Sequence, residues 1–408
     1  MGDHIREPAR KTPIRWRADV IVAGGGPAGF AAALAARRQG ADVLLLERHG
    51  HLGGLATGGL VVELPSFEAD GRPIIGGIGR ELRDALIQRG HAAMKGDTGH
   101  CFFDPEAMKW LCARLLREAG VRVVHHVWVA GTVTDGGRVT GLLAETKQGR
   151  VAAAGDMVID ATGDGDVIAS TGCEFDQAHA LIGLPWRIAG IDANRAGPAL
   201  AATLSSFREE RAPERGWLAA MPVTTADGSL WCTNGLDVAD GLDPEALSEL
   251  ELRGRELAFA LVERLRREVP GCGSAYVSDV APQIGVRHTR RLVGRSRVTD
   301  GDARVHDKRY PDAIGRAGGF YQVRSLTDVP YGALVPARGD GLLVAGRCVS
   351  ADLWALETLR LIHACWVTGQ AAGTAAAMCA ESGAVPATLP YPDLRARLQA
   401  EGVAFAEG

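Results

Sequence analysis

The eight cysteines of this 408-residue chain are scattered, and no two of them form a C-x-x-C pair. This absence argues against an iron–sulfur cluster, a structural zinc ion or a redox dithiol, and we predict no metal site. Reduced thiols are typical of the cytoplasm, which is the location we expect. The chain also lacks a long basic block and has a net charge of −4, so we do not expect nucleic acid as a partner.

Membrane-spanning segments are also not expected. The N-terminus is charged and has no apolar signal core. Two stretches, 20–36 and 361–380, lack charged residues, but the first contains three consecutive glycines and the second contains polar residues among alanines. Both are therefore interpreted as core elements rather than membrane spans.

Glycine, in contrast, is abundant, and one cluster lies between two recognisable elements. Residues 19–23 predict a buried parallel strand, and residues 30–39 predict an alanine-rich helix. Between them, Gly24 permits a tight turn, Gly26 lets the backbone approach a pyrophosphate, and Gly29 lets the helix pack against the strand. Free N–H groups at the start of such a helix bind phosphate. The alternative is a glycine-rich turn between core elements.

A carboxylate follows the next predicted strand. Residues 41–46 form a second apolar run that ends at Glu47, at the distance from the glycine motif where an acid accepts hydrogen bonds from ribose hydroxyls. Together, the two features predict a dinucleotide site in a βαβ unit. No second glycine motif of this type follows a strand elsewhere, so a built-in NAD(P)H domain is not expected.

The rest of the chain predicts an α/β fold made of two interleaved parts. We expect a Rossmann-like domain with a small β-meander at 18–173 and 330–385, an inserted α+β substrate domain at 174–329 and a C-terminal tail at 386–408. The predicted elements include helices at 105–118 and 244–268, which begin after Asp104 and Asp243, a strand at 121–129 and a short helix at 390–401. Meander segments are expected at 132–147 and 150–159, with a hairpin turn at 135–137, and a long small-residue helix after residue 346 ends the core. Residues 1–17 are expected to form an irregular arm.

Three further segments resemble flavoproteins of the glutathione-reductase type. They are Arg48 with Gly53-Gly54-Leu-Ala-Thr57, the run Ile159-Asp-Ala-Thr-Gly-Asp164, and the run Leu342-Leu-Val-Ala-Gly-Arg347. In the last run, Arg347 stands where these proteins usually have an acid. The resemblance implies FAD rather than another dinucleotide.

The likeness can be narrowed to one family. Motifs at 7–10, 161–166, 284–294 and 360–373 are similar to the FAD-dependent oxidoreductase family related to the fumarate reductase and succinate dehydrogenase flavoproteins. This resemblance implies a tightly bound FAD and a redox reaction, but it names no substrate. We expect the FAD to be non-covalent, because no residue of the chain requires a covalent bond to it. From the motif and the resemblance together, the residues expected to contact the cofactor are Gly24, Gly26, Pro27, Ala28, Gly29, Glu47, Arg48, Gly54, Leu55, Ala56, Thr57, Val129, Ala161, Thr162, Gly163, Gly346, Arg347, Leu361 and Ile362.

Four residues are candidates for the chemistry. By resemblance to fumarate reductases, Arg287 and Arg360 would hold an anionic group of the substrate, with buried ion pairs inside the fold as the alternative. His288 and His363 are candidate acid–base residues because histidine titrates near neutral pH, although a single histidine of this kind is more often a hydrogen-bonded core residue.

The chain also departs from the family. The Asp-x-His motif that many relatives carry is missing at 319–324, and a histidine often found after the last glycine strand is missing at 350–354. The active-site chemistry is therefore expected to differ from that of relatives.

The function expected from these features is transfer of a hydride between a small organic substrate and N5 of FAD, with an anionic substrate as one option. The alternatives are a flavin monooxygenase that works with an external reductase and a redox-sensing flavoprotein that is not an enzyme. The sequence is compatible with an external electron acceptor or reductase as a partner. It is also compatible with assembly into a homo-oligomer.

Overall fold

A computed structural model of the chain describes residues 7–69, 71–211, 216–223, 228–318 and 326–406. The strands are, in chain order, β1 Ile14–Ala23, β2 Val43–Glu47, β3 Glu63–Leu64, β4 Glu68–Ala69, β5 Arg72–Pro73, β6 Ala92–Met94, β7 Cys101–Phe103, β8 Arg122–His125, β9 Trp128–Asp135, β10 Arg138–Thr146, β11 Gly149–Asp160, β12 Phe175–Gln177, β13 Ala180–Ile182, β14 Trp186–Ala189, β15 Trp217–Pro222, β16 Leu230–Gly235, β17 Asp237–Ala239, β18 Tyr276–Val280, β19 Arg290–Leu292, β20 Ala313–Ala317, β21 Thr327–Pro330 and β22 Leu342–Val344. The helices are α1 Pro27–Arg38, α2 Gly77–Gln88, α3 Pro105–Ala119, α4 Asp166–Thr171, α5 Ala193–Arg211, α6 Pro244–Glu268, α7 Asp300–Arg304, α8 Leu353–Leu359, α9 Ile362–Ser382 and α10 Tyr391–Ala400.

The largest sheet combines a parallel core with an antiparallel meander. Its strand order is β8-β2-β1-β11-β10-β9, and β22 also pairs with β11. Strands β8, β2, β1, β11 and β22 run in parallel, whereas β9, β10 and the first half of β11 form antiparallel pairs. The carboxyl ends of the parallel strands meet at one edge. This arrangement confirms the predicted α/β fold with a Rossmann-like sheet and a meander.

Helices α1 and α9 cover one face of this sheet at very short range. A Cβ atom added at Gly369 would lie 2.1 Å from the carbonyl oxygen of Ala28, and one at Gly373 would lie 2.1 Å from that of Ala32. Only glycine fits where two helix backbones approach this closely. The small-residue helix expected near the C-terminus is therefore a central packing element, and nearly all of α9 is buried.

A second group of elements lies between α4 and β20 along the chain. Its four-stranded sheet has the order β15-β16-β14-β18, and α5 and α6 contribute to the same hydrophobic cluster around Trp186. Helix α6 has the bounds predicted for it and begins after Asp243, whose side chain accepts a hydrogen bond from Glu245 N at 3.0 Å. The proposed boundaries of the inserted domain, 174 and 329, stay a prediction.

Two expectations about local structure were wrong. Strand β1 begins at Ile14, so part of the predicted irregular arm is extended and pairs with β11. The single strand predicted at 121–129 is divided into β8 and β9, because His126 has a φ of 60°. Just after this break, Val127 N donates to Glu47 O at 3.0 Å, which brings the start of β9 beside the end of β2.

Two further local features expected from the sequence were confirmed. Asp104 caps α3 by accepting from Glu106 N at 2.8 Å, and Gly136 and Gly137 form the positive-φ turn between β9 and β10. All eight cysteines are free thiols, and burial raises the pKa of several of them. In the described part of the chain, no helix combines the length and the apolar character that crossing a membrane demands.

Candidate active-site cleft

A cleft of about 890 Å³ opens where the parallel strands end. The residues that follow β1, β2, β11 and β22 form its walls, together with the loop at 54–56 and the first turn of α9. Its lining residues are Gly24, Gly26, Pro27, Ala28, Leu46, Glu47, Arg48, His49, Gly54, Leu55, Ala56, Val127, Trp128, Val129, Ala161, Thr162, Gly163, Asp166, Gln283, Ala345, Gly346, Arg347, Arg360, Ile362 and Cys365.

Most of the residues predicted to contact the cofactor are brought together in this cleft. Gly29, Thr57 and Leu361 are the exceptions; Thr57 is fully buried and its hydroxyl donates to Leu52 O at 2.6 Å. Sequence reasoning missed Leu46, His49, Val127, Trp128, Asp166, Gln283, Ala345 and Cys365. All except Gln283 are within a helical turn of a predicted residue along the chain. Gln283 directly precedes the motif at 284–294, which was the signal available for it.

The glycine turn has the geometry that its motif requires. Gly24 has a φ of 95°, and a Cβ there would lie 2.6 Å from Ala161 O. A Cβ at Gly29 would lie 1.8 Å from Gly24 O, so this glycine permits the contact between helix and strand. Gly26 differs, because a Cβ there meets only Gly54 Cα, at 3.9 Å. The open space in front of Gly26 therefore belongs to the cleft, next to the free N–H groups of α1.

Glu47 fixes the turn from the opposite side. It is only 5% exposed, its Oε2 accepts from Gly25 N at 2.6 Å, and its Oε1 accepts from His49 N at 2.7 Å. A carboxylate offers about four acceptor positions, so further donors can still bind. The predicted ribose acceptor also organises the backbone around it.

Asp160 stabilises a turn in the wall of the cleft, and sequence reasoning did not single it out. It is fully buried at the end of β11, and its oxygens accept from Thr162 N, Thr162 Oγ1, Val167 N and Ile168 N at 2.7 to 3.1 Å. Burial raises the pKa of this carboxyl, while the four donors oppose that shift. Asp160 thus holds the turn at 161–165 in place between β11 and α4.

A cluster of charged residues adjoins the cleft at Arg360, which is one of its lining residues. Arg360 Nη2 donates to Glu357 Oε2, and the positive charges of Arg360 and Arg287 lower the pKa of Glu357 against the effect of burial. Burial and the nearby Arg360 lower the pKa of Arg287 to about 10, so Arg287 remains charged at neutral pH. Burial lowers the pKa of His288, which also interacts electrostatically with Glu357 and Arg360. Three of the four predicted catalytic residues therefore share one electrostatic environment.

His363 has a different setting. It is fully buried, its Nε2 lies 2.8 Å from Gly318 O, and its Nδ1 accepts from Ala364 N at 2.8 Å. Both ring nitrogens are engaged inside the protein, and the carbonyl partner places the proton on Nε2. Its role in catalysis stays a prediction. The neighbouring segment 319–324, for which the missing Asp-x-His motif was noted, lies outside the described residues.

The buried His363 makes stability depend on pH. Burial lowers its pKa to about 4, whereas an unfolded histidine titrates near pH 6.5. As the pH falls through this window the unfolded chain gains a proton that the folded chain does not, so the folded state loses stability by about 3 kcal/mol. We expect the free energy of unfolding of His363→Asn, measured by denaturant titration, to fall less between pH 7.5 and 4.5 than that of the wild type. His91→Asn, at a partly exposed histidine, is the control and should show the pH dependence of the wild type. If the free energy of unfolding changed equally with pH in all three proteins, the prediction would be contradicted.

Comparison with known proteins defines the class. A family model for FAD dependent oxidoreductases matches residues 19–398. The chain is 30% identical over 164 residues to thiamine thiazole synthase of Aeropyrum pernix, a match covering 37% of this chain and 57% of that protein. It is 32% identical over 148 residues to digeranylgeranylglycerophospholipid reductase 1 of Methanopyrus kandleri, covering 36% of this chain and 39% of the relative. These matches span less than two thirds of the relatives' own length.

A solved structure shows the same fold. A flavin-dependent brominase superposes with a TM-score of 0.52 at 15% identity, covering 94% of this chain and 84% of the brominase. The fold and the cleft define a flavoprotein of the Rossmann-like type. The chain belongs to the FAD-dependent oxidoreductase family, and it is an enzyme whose cofactor is FAD.

The cleft residues fit this cofactor. Three lining residues, Arg347, Arg360 and Gln283, have buried polar atoms (Nη1, Nε and Oε1) without a hydrogen-bond partner in the described parts of the chain. Buried polar atoms normally have partners, so a ligand with both acceptors and a donor is implied. FAD has acceptors in its diphosphate and ring, and donors in its ring and hydroxyls.

Proposed function

We propose that this enzyme transfers a hydride between a small anionic organic substrate and FAD, without a built-in NAD domain. FAD supplies the two-electron chemistry at ring nitrogen N5. The proposal rests on the charged cluster around Arg360, which lines the cleft. In the same proposal, the residues predicted to contact the cofactor bind FAD without a covalent bond. The enzyme acts in the cytoplasm, as the unpaired cysteines suggest.

The cluster has an excess of positive charge. Arg287 and Arg360 contribute two cations, whereas Glu357 contributes one anion. Arg287 already donates to the carbonyl oxygens of Leu181 and Asn234, which orient its guanidinium. A carboxylate or phosphate on the substrate would balance the remaining charge, and guanidinium groups bind both through paired hydrogen bonds.

His288 is the residue best suited to move a proton. Its Nε2 lies 3.2 Å from His179 O, and since a carbonyl can only accept, Nε2 carries the hydrogen. Its Nδ1 is buried and has no partner among the described residues, so it presents a lone pair. Burial lowers the pKa of His288, which keeps the ring neutral at pH 7. We propose that Nδ1 accepts a proton from the substrate or returns one to it.

The likeness to fumarate reductase flavoproteins forms part of this proposal, since arginines would again bind the substrate anion. The reductase activity named for the archaeal relative is compatible with hydride transfer toward a substrate. An external donor or acceptor would then complete the cycle, because no second glycine motif of the dinucleotide-binding type follows a strand elsewhere in the sequence. A flavin monooxygenase remains the alternative.

The direct test is an anaerobic titration of the purified protein with a panel of metabolites that carry carboxylate or phosphate groups. We expect at least one of them to bleach the visible flavin band. Reduction by dithionite or by an external reductase, with no bleaching by any compound, would instead favour the monooxygenase alternative.

Arg287→Met tests the anion site itself. Losing a guanidinium that binds a carboxylate costs about 2 kcal/mol, so binding of the bleaching compound should weaken about 10- to 100-fold. FAD content should not change, because Arg287 does not line the cleft. Arg208→Met, at an exposed arginine of α5, is the control and should bind the compound normally. Equal affinities in both variants would remove Arg287 from the substrate site.

A further inference from the structure

An ion pair in the cleft wall connects two motifs that are far apart in the sequence. Arg347 Nη2 donates to Asp164 Oδ1 at 3.1 Å, and each of the two side chains is only 12% exposed. Arg347 follows Gly346, whose φ of 83° turns the chain after β22. Thr289 Oγ1 also donates to Asp164 Oδ1, at 3.2 Å, so the carboxylate is held from two sides.

The ion pair leaves part of the guanidinium unused. Arg347 Nη1 is buried and has no hydrogen-bond partner in the described residues. A buried N–H group that belongs to a charged side chain is costly when it is left unbonded. Because Arg347 lines the cleft, the missing acceptor is expected to come from the ligand.

The surroundings of Arg347 indicate which part of the ligand this is. A Cβ added at Gly163 would lie 2.5 Å from Arg347 Nη2, and a Cβ at Gly346 would lie 3.0 Å from Ala28 Cβ in the first turn of α1. The guanidinium therefore stands beside the turn at 161–165, and the backbone of the preceding Gly346 packs against the start of α1. Free helix N–H groups and a cation beside the same space both attract an anion.

We propose that Arg347 clamps the diphosphate of the dinucleotide through Nη1, and that Asp164 is a positioning residue that orients the guanidinium. This inference rests on the proposed binding of FAD in the cleft. It explains why a cation is tolerated where related flavoproteins have an acid, since Asp164 supplies the balancing carboxylate from the opposite motif.

The experiment compares ligands with and without the diphosphate. Apoprotein is titrated with FAD, ADP and adenosine by calorimetry, using wild type, Arg347→Met, Arg347→Lys, the Arg347→Met/Asp164→Asn double variant and the control Arg338→Met, at a residue that is 85% exposed. Arg347→Met should weaken FAD and ADP about 10- to 100-fold and leave adenosine unchanged. Arg347→Lys should restore part of the loss. The double variant should bind ADP more tightly than Arg347→Met, because the unpaired Asp164 carboxylate no longer repels the diphosphate.

Several results would overturn the clamp. Equal weakening of adenosine and ADP would mean that Arg347 only supports the fold. Unchanged ADP binding with weaker binding of the reducing substrate would assign Arg347 to the substrate end. If wild type binds FAD and Arg347→Met binds it equally well, the clamp fails and the proposed function stands. If wild type binds neither FAD nor ADP, both fail.

Discussion

Gly26→Val is expected to give a folded protein that no longer holds FAD. The backbone of Gly26 has φ −66° and ψ −175°, which an L-residue adopts without strain. A Cβ at this position meets no protein atom closer than Gly54 Cα at 3.9 Å, so the fold has room for it. The branched side chain would instead occupy the space that the diphosphate needs above the N-terminus of α1.

The measurement is the flavin content of the purified variant, with circular dichroism as the check on folding. We expect FAD affinity to fall at least about 100-fold, which corresponds to about 3 kcal/mol of steric conflict. Gly273→Val is the matched control, since Gly273 has open space around it and no unusual φ. A yellow Gly26→Val protein with normal flavin content would contradict the placement of the cofactor.

Gly373→Val is expected to destabilise the fold without removing the cofactor site, in contrast to Gly26→Val. A Cβ at Gly373 would lie 2.1 Å from Ala32 O and 2.8 Å from Ala32 Cα. These are backbone atoms of α1, which cannot move aside as a flexible side chain can. Helices α1 and α9 would be forced apart, and core side chains on both would lose their contacts.

Destabilisation by about 3 kcal/mol is expected from overpacking of this kind, enough to make the protein insoluble or to lower its melting temperature by several degrees. The comparison is the thermal unfolding of the apoproteins of wild type, Gly373→Val and Gly273→Val. Since residue 373 does not line the cleft, any soluble fraction should still take up FAD. A variant as stable as wild type would show that the two helices can separate without cost.

Much of the cofactor end of the cleft could be predicted because its determinants are local. Gly24, Gly26 and Gly29 fix a turn through short-range sterics, and Glu47 follows a buried strand at a set distance. Caps such as Asp104 also act on the next turn of the chain and were predicted for the same reason.

The rest depends on contacts between distant segments, which periodicity and spacing do not reveal. The pairing of Arg347 with Asp164 joins residues 183 positions apart. The complete hydrogen bonding of His363 depends on Gly318 O, and the break at His126 accompanies a contact between Val127 and Glu47. Each of these contacts is tertiary. The sequence pattern alone therefore predicted His363 as an acid–base candidate and one unbroken strand at 121–129.

The proposed substrate site was harder to predict than the cofactor site for the same reason. Arg360 and Glu357 are one helical turn apart and could be paired from the sequence, but Arg287 and His288 reach them from another part of the chain. Their shared electrostatic environment is a property of the fold. The chemistry of the substrate is therefore proposed from the charge of the assembled cluster.

We propose that FAD lies in the cleft with its diphosphate between Gly26 and Arg347 and its ring toward Arg360. The most direct measurement is a crystal structure of the purified yellow protein. The predicted result is one FAD per chain, released on denaturation, with the ribose at Glu47 and the diphosphate in contact with Arg347 Nη1. A flavin bound elsewhere, or bound with its ring at the Glu47 end, would contradict the claim.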